Sequence, residues 1–213
     1  KNIINFCGKP LLAWTILQAK ASKSINSVWV SSDSEEILDV AKKFGAECIR
    51  RPIQISTDRS RSESAWKHAL DVINMKNYDP VDYVIAPQVT SPLRETKDFT
   101  LALNQLISSK KDSMLSVSVV EDYFSWKLDN NGIPVSDNHD FKSRKPRQLI
   151  EKKYLENGSF YIFKPEVLFS NDNRLGGMIS LYVMDRYKMF QIDNTDDAIL
   201  CEIIMKGFGL DRL

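Results

Sequence analysis

An α/β fold on a mostly parallel sheet is the architecture this sequence predicts, and three observations predict it. Short β-type runs and helical stripes alternate at least three times before residue 110, the pattern of strands joined by right-handed helical crossovers. The run Val81-Asp82-Tyr83-Val84-Ile85 is short and closely apolar, as a strand buried on both faces would be. Beyond it, Phe99, Ala102, Leu103, Leu106 and Ile107 recur at 0, 3, 4, 7 and 8, the stripe of an amphipathic helix. A chain of 213 residues, 43% hydrophobic, suffices for one well-buried domain, so 1–213 is expected to be a single unit.

In chain order, Gly8-Lys9-Pro10 opens the first helix, with Pro10 suited to its first position and Leu11, Leu12, Thr15, Ile16 and Ala19 as its inner stripe. Val28 to Ser32 reads as a strand. Asp33, with Glu36 three residues on, reads as the cap of a second helix that carries Ile37, Leu38, Ala41 and Phe44. Ala46 to Arg50 is another short strand, ended by Pro52 because proline cannot continue a central ladder. A polar loop from Gln54 to Ser60 leads to a third helix with Trp66, Ala69, Leu70 and Ile73 at 0, 3, 4 and 7. Met114 to Val120 is a strand, after which the alternation breaks. Phe124 to Leu128 alternates apolar with polar and meets Asn130-Asn131-Gly132, a hairpin signal, so 121–156 reads as an antiparallel arm. Ser159 to Phe163 returns to the sheet, Pro165 starts a short helix, Lys188 to Asp193 is the last strand, and Thr195 caps a closing helix whose first turn carries Asp196 and Asp197.

A formal net charge of +1 predicts neither a nucleic-acid binder nor a membrane-surface protein, so phosphate chemistry would have to use local charge. No apolar stretch reaches the roughly 18 residues that span a bilayer, and no signal peptide is seen. Cys7, Cys48 and Cys201 are widely spaced and unpaired in motif, which favours reduced cysteines and a cytoplasmic setting over disulfides or zinc. There is no phosphate-binding P-loop, no G-x-S-x-G elbow and no G-x-G-x-x-G. His68 and His139 are too far apart to suggest a metal pair, and each reads as structural or solvated.

The stretch that invites a function is Ala86-Pro87-Gln88-Val89-Thr90-Ser91-Pro92-Leu93-Arg94, between an apolar strand and an amphipathic helix. It places Gln88, Thr90 and Ser91 in the crevice past a strand's carboxyl end, where open α/β sheets bind ligands, although an ordinary polar turn would read the same way. Arg51 beside a strand end and Ser62 at the start of the third helix sit on neighbouring crossovers; Arg51 could instead pair with a surface carboxylate, and Ser62 could simply cap. The basic run Lys142 to Gln148 is either a solvated loop or an arm that brings cations to an anionic ligand.

Taken together, Lys1-Asn2, Gly8-Lys9-Pro10-Leu11-Leu12, Ser31-Ser32-Asp33, Gly45-Ala46-Glu47 through Arg51-Pro52, Gln88-x-Thr90-Ser91-Pro92-Leu93-Arg94, Arg147-Gln148, Asn157-Gly158 and Ile192-Asp193 resemble, in order and spacing, the acylneuraminate cytidylyltransferases, or CMP-sialic acid synthetases. The resemblance covers the whole chain, and its most specific part is the Gln-x-Thr-Ser-Pro-Leu-Arg segment. It implies a Rossmann-like sheet of the nucleotide-diphospho-sugar transferase type, with 121–156 as a dimerisation arm. The implied reaction is magnesium-dependent: CMP passes from CTP to the C2 hydroxyl of a nine-carbon 2-keto acid sugar, and pyrophosphate is released. By resemblance, Asn2, Arg51 and Ser62 bind CTP and Lys1 faces its phosphates. Gln88, Thr90, Ser91, Asn157 and Tyr161 contact the sugar, Tyr161 also reading as a core aromatic. Arg147 meets the sugar's carboxylate across a homodimer interface.

Two departures qualify the carry-over. Where many members have two aspartates as metal ligands, this chain has Gln191 and Asp193, so Asp193 is expected to bear most of the magnesium. Where well-matched members have arginine, it has Leu155, which suggests a deaminated or diacetylated sugar. Members also begin with a strand and a basic, Ser-containing phosphate loop upstream of the Lys-Asn pair seen here as Lys1-Asn2. The chain starts without methionine and reads as a fragment: a polypeptide truly beginning at Lys1 is expected to be inactive, and one that has those residues is expected to carry the full mechanism. The rival readings are a 3-deoxy-octulosonate cytidylyltransferase and a non-catalytic nucleotide-binding scaffold.

Overall fold

The computed structural model of the protein describes residues 1–76, 80–121 and 123–212. A short antiparallel hairpin, β1 (Asn5–Phe6) and β2 (Lys9–Pro10), delivers the chain into α1 (Leu11–Ala21). Pro10 is the cap rather than the first helical residue, because it is still paired opposite Asn5. Helix α1 is enclosed on most sides: Leu11 through Ile16, Gln18 and Ala19 are all buried. Its Trp14 indole donates to the Phe6 carbonyl at 2.7 Å, as a buried indole N–H must.

Strands β3 (Trp29–Ser32) and β4 (Glu47–Arg50) pair in parallel around α2 (Glu35–Lys43), as their spacing predicts. The cap of α2 is Ser34, which accepts from the Ile37 amide, and not Asp33. Asp33 instead faces Arg51 Nη2 at 3.5 Å. A 3₁₀ turn at Ile53–Ile55 then leads to α3 (Ser62–Lys76).

The second sheet holds β5 (Val84–Pro87), β6 (Ser113–Val120), β9 (Lys153–Phe163) and β10 (Ile179–Met184) in the order β10-β6-β9-β5; α4 (Thr96–Ser108) lies between β5 and β6 in sequence. This sheet is mixed where a mostly parallel one was predicted. β10 runs parallel to β6, but β9 is antiparallel to both β6 and β5. The cause is the break after residue 120: β9 is reached through the arm and not through a helical crossover, so it returns in the opposite direction. Alternate residues of β6 and β9 feed two cores. Met114, Phe160 and Ile162 join Phe99, Leu106 and Tyr182 in one, while Leu115, Val117, Tyr161 and Phe163 join Leu70 and Leu168 in the other.

The predicted last strand, Lys188 to Asp193, is a correction. Arg186–Met189 is a 3₁₀ turn, and the strand of this region is β10, which ends at Met184 just before the turn and was unforeseen in the sequence. Helix α5 (Pro165–Asn171) starts at proline as expected. Helix α6 (Thr195–Gly207) is capped by Asn194 rather than Thr195, through a reciprocal box in which Asn194 and Asp197 each accept the other's amide.

The arm contains the predicted hairpin, β7 (Trp126–Leu128) with β8 (Pro134–Ser136), though residue 122 lies outside the described residues. Its rings pack on one another: Phe124 lies 4.5 Å and Trp126 5.4 Å from His139. No described residue between 123 and 156 is buried.

Strands β3 and β5 face no hydrogen-bonded neighbour on one side among the described residues. A cavity of about 1130 Å³ lies between them, lined by Leu12 and Ile16, Ala69 and Ile73, and Phe99 and Leu103. No helix among the described residues is long and apolar enough to cross a membrane. The three cysteines are free, and burial pushes the Cys201 thiol up to about 12 and that of Cys7 up to about 11, so both are neutral thiols.

Candidate active site

The turn after β5 is held from beneath by buried side chains. Gln88 N–H donates to the Ser159 carbonyl at 3.1 Å, which fixes where the turn leaves the sheet. Arg94 is wholly buried, and its Nη2 donates to the carbonyls of Gln88 and Ser91, both at 2.6 Å. Gln18 of α1 donates to the carbonyls of Pro92 and Arg94 at 2.9 and 3.0 Å. Burial pushes the Arg94 guanidinium down to about 9, opposed by the charge of Asp98, so it remains protonated at neutral pH. Gln88 and Thr90 are half-buried above this support, while Ser91 is buried and its hydroxyl has no partner among the described residues. In the sequence Arg94 stands out only as the end of the Gln88–Arg94 segment, with no role attached, and Gln18 does not stand out; the signal for Arg94 is a charged residue ending an apolar Pro-Leu pair.

Gly158 brings two more candidates together. Its φ is +62°, and a Cβ there would stand 2.8 Å from Gln191 Nε2 and 2.9 Å from Gln88 Oε1. Only glycine satisfies both the backbone and the approach. Gly158→Ala is therefore expected to cost about 1–2 kcal/mol from the left-handed backbone alone and to push the two glutamines apart, read as a lower denaturant midpoint and lower turnover. Asn157 lies beneath the site, fully buried. Its Oδ1 accepts from Ser116 Oγ at 2.7 Å and from the Ser159 amide at 3.1 Å, and its Nδ2 donates to Ser118 Oγ at 3.2 Å. Its carbonyl accepts from Gln191 Nε2 at 3.0 Å, which leaves the Gln191 amide oxygen as the atom able to coordinate a cation.

The segment after the 3₁₀ turn is tied to the same place, since Ile192 N–H donates to the Thr90 carbonyl at 2.8 Å. Asp193 pairs with Lys1 Nζ at 3.0 Å, and both side chains are exposed, 78% and 42%. One exposed carboxylate and one amide oxygen form a donor set that could hold a divalent cation carrying its own phosphate ligands, since magnesium takes one or two protein carboxylates and fills its other positions with phosphate oxygens and water. No cluster of three or more His, Cys, Asp or Glu that could hold a metal occurs among the described residues.

The other candidates stand on neighbouring elements. Arg51 is held at the end of β4: its amide donates to the Ser32 carbonyl at 2.9 Å, its Nε to Ser56 Oγ at 2.9 Å, and it lines the edge of the large cavity. Asn2 offers its carbonyl to the Leu12 amide at 2.8 Å. Ser62 and Tyr161 share a second, polar hollow of about 510 Å³ with Arg61, Glu63, Glu156 and Arg174. Tyr161 donates to Glu156, and burial followed by that carboxylate pushes its hydroxyl up to about 12, so it is a neutral donor. Arg174 lies 4.8 Å from the Trp66 ring centroid and 4.5 Å from that of Tyr161, and meets the buried Glu63 at 3.0 Å. Neither Arg174 nor Glu63 stood out in the sequence. Arg147 lies in a 3₁₀ turn of the arm, with Nε 2.8 Å from Glu121.

Lys1, Thr90, Gln88, Asn157, Gln191 and Asp193 thus form one connected patch beyond the carboxyl end of β5. Polar groups converging at a strand's end in an open sheet define an α/β protein that handles a small ligand there. Residues 1–196 match the model of a protein family described as cytidylyltransferase. The chain belongs to the cytidylyltransferase family. A pseudaminic acid cytidylyltransferase from Campylobacter jejuni is 29% identical over 97% of this chain and 89% of its own length. An N-acylneuraminate cytidylyltransferase A from Danio rerio is 35% identical over 98% of this chain, which spans about half, 48%, of that protein. Among solved structures, a CMP:2-keto-3-deoxy-manno-octonic acid synthetase complexed with CTP matches with a TM-score of 0.64 at 12% identity, over 100% of this chain and 92% of that one, a likeness of fold.

Proposed function

We propose that this chain joins CMP from CTP to the C2 hydroxyl of a nine-carbon 2-keto acid sugar, with release of pyrophosphate. The observation that carries the reading is the connected patch of the Gln88–Arg94 turn, Gly158, Gln191 and Asp193 in a cytidylyltransferase chain. In the reaction the C2 oxygen forms a bond to the α-phosphorus as the bond to the departing pyrophosphate breaks in line with it. Gln88, Thr90 and Ser91 hold the sugar beside that line, and Tyr161, whose O–H is given to Glu156, offers its phenol oxygen as an acceptor from the second hollow. Asn157 acts from below by fixing Gln191. Asn2, Arg51 and Ser62 hold the nucleotide, and Lys1 faces its phosphates. A magnesium ion held by Asp193 and Gln191 would supply positive charge for the phosphate oxygens.

Arg147 takes the sugar carboxylate in this reading, from the arm of a second copy. Exposed apolar side chains along 121–156, among them Trp126, Leu128, Ile133, Phe141 and Leu149, support the arm as a homodimer interface within a single 1–213 domain. The free, neutral cysteines suit a reducing, cytoplasmic compartment. The Campylobacter and Danio relatives favour pseudaminic or sialic acids as the sugar class. A second reading, an eight-carbon 3-deoxy-octulosonate as acceptor, is favoured by the fold shared with the octonic acid synthetase. Kinetics on a panel of keto acids separates the two. The nine-carbon reading predicts the highest kcat/KM for a nine-carbon member, and preference for the eight-carbon acid overturns it.

A further inference from the structure

The mechanism above makes no use of Lys188, which is 2% exposed. A lysine is almost never buried this way unless paired. Its Nζ lies 2.7 Å from Glu95 Oε2, 3.0 Å from Asp98 Oδ2 and 3.5 Å from Asp185 Oδ2. Tyr182 donates to Asp98 Oδ1 at 3.2 Å, and Lys97 meets Glu95 Oε1 at 2.8 Å. Asp98 also accepts the Glu95 amide at 2.8 Å, closing the capping box of α4. Burial alone would push the ammonium down, but the hydrogen bond to Glu95 and the charge of Asp98 more than offset it and hold the group above the ordinary lysine value.

The ends of this network matter more than its strength. Glu95 directly follows Arg94, the last residue of the turn, and only Met189 and Phe190 separate Lys188 from Gln191. Two loops that belong to no common strand ladder are thus joined twice, by this buried ion network and by the Ile192–Thr90 hydrogen bond. Apolar residues of similar volume would fill such a space at equal or better stability; what buried charges add is a fixed register. We propose that Lys188 is a positioning residue of the active site: its ammonium ties the start of α4 to the segment before Gln191 and so holds Gln191 and Asp193 in register with Thr90 and Ser91. The inference rests on the cytidylyltransferase reading of those four residues.

The test uses the full-length protein and the double variant K188M/D98N. Methionine fills the lysine's volume, asparagine can still accept the Glu95 amide, and Glu95 keeps Lys97, so the tether is cut; Lys188→Met alone, which keeps the Asp98 charge that opposes the burial of Arg94, controls for the loss of that charge. The expected result in both variants is cooperative thermal unfolding, at a midpoint lowered most where the Asp98 charge is lost, and selectively faster hydrogen exchange at the Ile192 amide, by about tenfold or more. The kcat should fall by about 10²-fold with the KM for CTP within about twofold, as a sub-ångström-to-ångström displacement of catalytic groups would give. Glu95→Gln, at a side chain 30% exposed, weakens the same tether without touching the core and should move exchange and kcat in the same directions by less. Native Ile192 protection in the double variant overturns the tether, and faster exchange with native kcat overturns the positioning role. If the wild-type protein releases no pyrophosphate with any keto acid, the cytidylyltransferase reading fails, while Ile192 exchange still decides whether the tether exists.

Discussion

Asp193→Ala is expected to lower turnover by about 10²–10³-fold, the usual consequence of removing one well-placed electrostatic element. Stability should hardly change. Among the described residues the one ion pair Asp193 makes is with Lys1, on an exposed surface where such pairs contribute little. Its amide, not its carboxylate, makes the hydrogen bond to Asp197 Oδ2 at 2.9 Å that leads into α6, and alanine keeps that bond. In the proposed site Gln191 would offer the metal only an uncharged oxygen, so the Asp193 carboxylate is the main charge the metal would lose. Initial rates across a magnesium titration, with a thermal melt of the same sample, check both halves. Native turnover with native magnesium dependence would remove Asp193 from the site.

Arg94→Ala has the opposite profile, a loss of about 3–5 kcal/mol of folding stability measured by denaturant unfolding. The wild-type guanidinium is completely buried, packs 5.8 Å from the Phe99 ring centroid and binds two carbonyls of the turn. Truncation leaves a cavity beneath the turn and two buried acceptors without their donor, and both effects act in the same direction. What remains folded should use the keto acid poorly, because Gln88 and Ser91 lose their common anchor. A change below about 1 kcal/mol would show that the turn is held by other means. The two variants bracket the site: one removes chemistry without touching the fold, the other removes the support of the recognition surface.

Local signals in the sequence were enough to find the helices and the turn. The stripe of α4, the β3-α2-β4 unit and the Asn130-Asn131-Gly132 hairpin are each written within a short contiguous stretch, and Gly132 adopts the positive φ, 77°, that such a turn requires. Gln88, Thr90 and Ser91 were legible as a candidate site because they directly follow a strand. The direction of β9 was not, since the arm leading to it could return on either side of β6. Strand β10 went unread in the sequence although it is closely apolar; its partner, β6, lies far upstream in the chain. Lys188 reads in sequence as the start of a strand, and its partners Glu95 and Asp98 lie 93 and 90 positions away, so no spacing rule could join them. Arg174, Glu63 and Tyr161 meet by the same long-range folding.

Pyrophosphate release coupled to formation of a CMP-sugar is the most direct test. Full-length protein is incubated with magnesium, CTP and a nine-carbon 2-keto acid, and the products are followed by phosphorus NMR. The reading advanced here predicts one pyrophosphate for each CMP joined to the sugar through C2, and no release when either substrate is left out. Failure of every nine-carbon acid to yield a CMP-sugar, or release of pyrophosphate from CTP with free CMP as the only nucleotide product, would contradict it.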